Sequence, residues 1–429
     1  MSAEINVSRA ARSASFATGG RGMVALVTAL FFVWGFATVL VDTLIPRLKA
    51  LFELSFAEVM LTQFSFFIAY LLVSIPAGQL IGRIGYMRGI VTGLVVMATG
   101  GLLFAPAAAL GLFPGFLAAL FVLASGITIL QVAANPLIVV VGDAAGSHSR
   151  LNLAQAFNSL GTTIGPWVGA SLILRNMESA PDPAIAAPEI VSAFHRSEAH
   201  ALQWPFILIA SVLLVIALVF WLVRHRGGAP AADEGGEKHS MVALLAAHPR
   251  LALGTLAIFT YVGAEVSIGS VLTNYLMQSH TLGLAALEAG KLVSFYWGGA
   301  MVGRFIGSAV LRFVSPGKAL ACCALMAAGL ASTSALSSGM VAAVTVIAIG
   351  LCNSIMFPTI FSLAIEGLGL KAARGSGALC LAIVGGAIVP LVTGAAADGF
   401  GLSLALFVPA ACYLYVASYG WFARRAVRP

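Results

Sequence analysis

Twelve stretches of this chain are each apolar for about the 20 residues a helix needs to cross a bilayer, and that repetition limits the fold more than any other feature. They lie near 23–45, 59–82, 89–109, 115–141, 151–174, 204–223, 251–277, 291–311, 318–338, 340–365, 375–397 and 402–423. Within lipid every backbone polar group must be satisfied inside its own segment or a closed barrel. These runs lack the in–out alternation of barrel strands, so an all-α membrane protein of twelve transmembrane helices is expected. Composition agrees: 60% of the 429 residues are hydrophobic and 9% charged, against about 25% charged in soluble domains.

Lys and Arg accumulate on the cytoplasmic side of membrane proteins. Seventeen of them fall in the termini and one alternating set of loops, five in the other set, and Arg304 lies inside a span. Both termini are therefore expected in the cytoplasm. The net charge of +7 is then a topological signal and gives no reason to invoke nucleic acid. The first apolar run is too long for a signal-peptide core and is read as a retained helix. Cys322, Cys323, Cys352, Cys380 and Cys412 all sit in expected spans, with neither zinc nor disulfide spacing; no metal or cofactor is expected.

The chain repeats itself. Asp42 and Glu265 lie 223 residues apart, Pro136 and Pro358 lie 222 apart, and Arg150 and Arg374, like Pro166 and Pro390, lie 224 apart. Residues 224–250, rich in glycine and charge, read as a solvated linker. The organisation expected is a tail over 1–22, a six-helix bundle over 23–223, the linker, a second, pseudo-symmetric six-helix bundle over 251–423 and a tail over 424–429, acting as a monomer. Two such halves place a site between them in coupled transporters. Glycine ladders at 161, 165 and 169 and at 299, 303 and 307 mark close helix contacts.

Polar side chains at helical spacing define candidate binding faces. Trp34, Thr38 and Asp42 share a stripe of the first helix. Gln63 belongs to the second helix, Gln131 and Asn135 to the fourth, and Gln155 and Asn158 to the fifth. The seventh helix places Tyr261 one turn before Glu265, with Asn274 on another face, and Trp297 and Asn353 add to the same interior. Amides and rings without a cluster of inward cations suit a neutral sugar, whose hydroxyls they bond and whose C–H faces they cover.

A carboxylate at mid-membrane costs roughly 2.5–3.5 kcal/mol, which binding a cation offsets. A neutral sugar gains nothing from the membrane potential, whereas a co-bound cation gains about 2.3 kcal/mol per 100 mV. Asp42 and Glu265 are the candidate proton-coupling groups. For Asp42 the alternative is a helix-end group reaching outward; for Glu265 it is binding the sugar or pairing with Arg304. Arg83 and Arg88, and Arg312 in the matching loop, are candidate gating residues, with positive-inside bias as the competing explanation. No HExxH, GxxxxGK[ST] or GxSxG pattern occurs, so an enzyme is not expected.

Six segments carry a resemblance: Phe31-Phe-Val-Trp-Gly35, Asp42-Thr-Leu-Ile-Pro46, Gln131-Val-Ala-Ala-Asn-Pro136, Arg150-Leu-Asn-Leu-Ala-Gln-Ala-Phe-Asn-Ser159, Tyr261-Val-Gly-Ala-Glu265 and Phe357-Pro-Thr-Ile-Phe-Ser362. Together they resemble the fucose:proton symporter family of the major facilitator superfamily, and within it the glucose/galactose transporter branch. The resemblance implies proton-linked uptake of a neutral monosaccharide across a bacterial inner membrane, with Asp42 in proton coupling and Gln155 against sugar. A family glutamate is replaced by Gln131, so a two-carboxylate relay does not transfer directly; Glu265 resembles the glucose/galactose branch and could supply the second acid. The proton is the expected cation. A sodium-coupled symporter, an exporter of the same fold and a non-transporting sugar sensor are the alternatives.

Overall fold

The computed structural model describes residues 22–38, 56–109, 113–141, 146–169, 187–226 and 240–424. Asp42 lies outside them, as do the tail before Gly22 and residues 227–239 of the linker. The described residues fold as helices joined by short turns: α1 Gly22–Thr38, α2 Phe56–Ile84, α3 Tyr86–Ala109, α4 Phe113–Val140, α5 Ser147–Gly169, α6 Pro188–Val223, α7 Pro249–Met277, α8 Ala286–Val310, α9 Pro316–Leu336, α10 Gly339–Ile365, α11 Gly369–Phe400 and α12 Leu402–Phe422. A short helix, Met241–Ala247, precedes α7. Among the described residues nine of these are long and apolar enough to span a bilayer by composition alone. Large apolar side chains such as Trp204, Val215, Leu222 and Phe295 are exposed, as a surface facing hydrocarbon requires.

Local chemistry sets the breaks. Proline opens α6, α7 and α9, where its missing N–H costs nothing. Gly85, at φ 83°, closes α2 by donating its N–H to the Ile81 carbonyl at 2.8 Å, a left-handed cap that glycine adopts without strain. Three expected spans are interrupted, α12 by a single turn residue, Leu406, between Leu402–Ala405 and Phe407–Phe422. Within α10 the helix stops at Asn353 and restarts at Met356, and α11 passes through a 3-10 turn at Ala382–Val384. In α10 the cause is Pro358: it has no N–H for the carbonyl four residues back, that of Ser354, and its ring crowds it.

The chain forms two compact units. One comprises Leu30–Ala134 and Phe157–Ala232; the other comprises Asn135–Ala156 and everything from Asp233 onward, with the residues up to Ala29. In the first, α3 and α4 approach backbone to backbone, because a side chain at Gly93, Gly100 or Gly126 would overlap the facing helix. Phe104 joins α3 to Phe206 of α6 and Phe116 of α4, at 4.4 and 5.5 Å between ring centres. Gly161 sits against the backbone of Phe32 and Phe36. In the second unit, Gly299, Gly303 and Gly307 of α8 face Leu351, Ser354 and Ile355 at the break in α10. The ladder thus brings α8 onto the most irregular backbone in that unit.

Candidate functional site

The richest polar cluster surrounds Glu265, half-buried in the middle of α7. One turn earlier, buried Tyr261 donates its hydroxyl to the Asn353 carbonyl at 3.1 Å and lies against the Glu265 carboxyl. From α8, the Tyr296 hydroxyl donates to the Glu265 backbone carbonyl at 3.1 Å and accepts from the Asn353 amide at 2.7 Å. The Arg304 guanidinium acts on the same carboxyl, and its Nε donates to the Ser354 carbonyl at 3.2 Å. That carbonyl is the one Pro358 leaves without a helical donor, so the kink creates the acceptor that anchors the cation. Tyr413 of α12, fully buried, lies beside Asn353 and Tyr296.

Among the described residues the Asn353 side-chain oxygen has no hydrogen-bond partner, and the Tyr413 hydroxyl, close to Asn353 and Tyr296, makes no well-aligned bond. A buried unpaired polar group costs about 1–3 kcal/mol, so these atoms are poised to receive a ligand or water. Trp297 stands edge-on to Tyr296 at 5.1 Å; it is 46% exposed and packs over Gly269. Asn274, nine residues beyond Glu265, falls on the opposite side of α7 and is exposed.

The remaining candidates form smaller groups. Gln131 donates its amide to the Tyr70 hydroxyl, both buried. Gln155 donates to the Asn135 side-chain oxygen at 3.3 Å, while the Asn135 amide nitrogen, fully buried, has no partner among the described residues. Asn158 donates to the Phe31 carbonyl at 3.0 Å and so binds α5 to α1. Trp34 pairs with Phe31 at 5.2 Å, and Thr38 bonds back to the Trp34 carbonyl at 2.9 Å. Gln63 falls on α2, and its side chain is outside the described set.

Among the described residues Arg83 and Arg88 are exposed and form no ion pair. Arg312 donates its Nε to the Ser149 hydroxyl at 3.3 Å, within a seam between the start of α5 and the end of α8. There Ser149 donates to the Ser308 carbonyl at 2.6 Å, Ser308 donates back to the Ser149 carbonyl at 3.2 Å, and the Asn152 amide donates to the Arg304 carbonyl at 2.5 Å. Arg150 caps α4 through the Ile138 and Val139 carbonyls, at 3.3 and 3.0 Å. His148, ahead of the expected span, bonds Ser362 at 2.6 Å; burial, with Arg250 and Arg150 nearby, pushes its imidazole down to about 4.

Tyr413 was not among the residues expected at the site. The available signal was a hydroxyl in an apolar span, where each such group needs a partner or a purpose. Arg304 was noted as an internal charge, but its anchor depends on the helix break, which hydropathy does not reveal.

Among the described residues, apolar helices with aromatic hydroxyls, amides and the Glu265 carboxylate between them define a multi-span membrane protein. Comparison with known proteins is direct: the Major Facilitator Superfamily profile matches residues 24–390. The chain is similar to a glucose/galactose transporter of Brucella abortus, 50% identical over 397 residues, covering 92% of each chain. It is similar to the L-fucose-proton symporter of Escherichia coli, 36% identical over 411 residues, covering 93% of this chain and 92% of the other. The solved structure of FucP in the outward conformation superposes with a TM-score of 0.87 at 33% identity, over 94% of this chain and 99% of that one. The chain belongs to the Major Facilitator Superfamily, in its fucose:proton symporter family and glucose/galactose transporter branch. It has the twelve-helix fold of two pseudo-symmetric bundles of that superfamily and is a transporter, not an enzyme.

Proposed function

We propose that this chain imports a neutral hexose of the glucose/galactose type by proton symport, through alternating access of two six-helix bundles in a bacterial inner membrane, with both termini in the cytoplasm. The single observation that carries this reading is Glu265: a carboxylate inside the bundle, ringed by Tyr261, Tyr296, Asn353 and Tyr413 and facing one cation. Uncharged donors and acceptors suit sugar hydroxyls. The carboxylate suits a proton, whose charge lets the membrane potential drive an otherwise neutral cargo. The activities of the relatives, glucose/galactose transport and fucose–proton symport, support both halves of the reading.

In this account Asp42 and Glu265 bind the coupling proton. Atoms on Asn353, Tyr413 and Asn135 that lack a well-aligned partner among the described residues are candidate sugar contacts, as are Gln155, Gln131 and Asn158, and Trp34 and Trp297 are candidate stacking surfaces. Purified protein in liposomes, offered a panel of hexoses under separate proton and sodium gradients, tests it. Accumulation of glucose or galactose under a proton gradient is expected. Accumulation under sodium alone would replace the proton as the coupling ion, and outward pumping would make the chain an exporter.

A further inference from the structure

We propose that Arg304 is a positioning residue that ties the charge on Glu265 to the seam between α5 and α8. The inference rests on reading Glu265 as a coupling carboxylate and adds how its proton reaches the moving parts. Among the described residues the groups that act on the Glu265 carboxyl are Tyr261 from its own helix, Tyr296 and Arg304 from α8 and Tyr413 from α12, with Asn353 of α10 bonded to Tyr261 and Tyr296. Of these only Arg304 is charged at neutral pH.

Arg304 reaches two structures through hydrogen bonds and a third through its charge. Its side chain acts on Glu265, its Nε is held by the Ser354 carbonyl at 3.2 Å, and its own carbonyl accepts the Asn152 amide of α5 at 2.5 Å. One turn further along α8, Gly307 lets Asn152 and Ile355 close in. Beside it Ser308 exchanges hydrogen bonds with Ser149, and Arg312 then bonds Ser149. The cation that answers Glu265 therefore sits on the same stretch at the end of α8, about two and a half turns from Arg304 to Arg312, that carries the seam. Small residues at 303 and 307 place no side chain between α8 and its neighbours, so a shift of α8 reaches α5 directly.

A charged Glu265 holds Arg304 toward α7 and keeps α8 in the position where the α5 bonds close. A proton on Glu265 removes that attraction, and the seam loses its brace. The seam lies on the end of the bundle that the charge bias assigns to the cytoplasm, where a sugar entering the cell must leave.

Hydrogen–deuterium exchange of the full chain in liposomes, corrected for the intrinsic pH dependence of exchange, reads the seam through peptides covering 147–156 and 303–312. Galactose binding is measured on every variant to show that it is folded. His148 also lines this end and titrates near 4, so the series stays above about pH 5. In the parent, protection of both segments should fall about fivefold or more from alkaline to acidic pH, a normal coupling magnitude. Glu265→Gln and Arg304→Gln should each abolish that dependence, and Arg304→Lys should retain it. If Arg304→Gln keeps the parental pH dependence while Glu265→Gln loses it, the role of Arg304 is wrong and the coupling role of Glu265 stands. If Glu265→Gln also keeps it, the coupling reading itself fails. Should Arg304→Gln not bind galactose, Arg304→Lys decides: loss of pH dependence in a folded Lys variant overturns the proposal.

Discussion

Tyr413 is the residue at which stability and function separate most cleanly. Its hydroxyl is fully buried and, although close to Asn353 and Tyr296, makes no well-aligned hydrogen bond among the described residues. Tyr413→Phe should leave the thermal stability of detergent-purified protein within about 1 kcal/mol, or raise it, because no well-formed bond is lost. It should weaken hexose binding, measured by equilibrium titration; unchanged affinity would remove Tyr413 from the site. His148 yields a pH prediction. Its imidazole is depressed from 6.5 to about 4 in the folded chain, so the unfolded chain takes up the proton first and stability falls as pH drops from about 6.5 toward 4. His148→Gln should remove that part of the acid sensitivity, read as a flatter melting temperature across the same window. An unaltered pH dependence would show that other groups carry it.

At the scale of elements, the decisive feature is the break in α10. Pro358 frees the Ser354 carbonyl, and Arg304 takes it. Pro358→Ala restores an N–H that competes for that carbonyl. The variant should fold with unimpaired stability yet transport more slowly, measured as counterflow rate per protein; full-rate counterflow would show the kink to be dispensable. Gly350 tests the opposite property, since a side chain there would overlap the Tyr296 backbone. Gly350→Val should lower stability by about 1–3 kcal/mol through overpacking, seen in thermal melts. Hydropathy placed α7, α9 and α12 within a few residues of their ends, because each is a continuous apolar run opened by proline or glycine. It could not show that α10 and α11 are interrupted, since a proline in a transmembrane run is compatible with either a kink or a stop. α6 begins at Pro188, well before the apolar stretch at 204, because its first turns are polar and carry no hydropathy signal.

For the molecule as a whole, the site was legible in part. Tyr261 and Glu265 stood out through four-residue spacing, and Asn353 through its place in an apolar run; the structure joins all three. Asn274 could be put on another face of α7 by counting, and it lies there. What the sequence withheld was partnership: whether an amide such as Asn158 bonds a neighbouring helix backbone or keeps a free atom, as Asn135 does, depends on which helices meet. A carboxylate kept among buried hydroxyls and amides, as Glu265 is, makes sense if its proton moves with the cargo. The most direct test is a pH electrode in a weakly buffered suspension of de-energised proteoliposomes, to which glucose or galactose is added. The account predicts external alkalinisation in step with sugar entry, absent in Glu265→Gln. Sugar entry at the same rate with no change in external pH would contradict it.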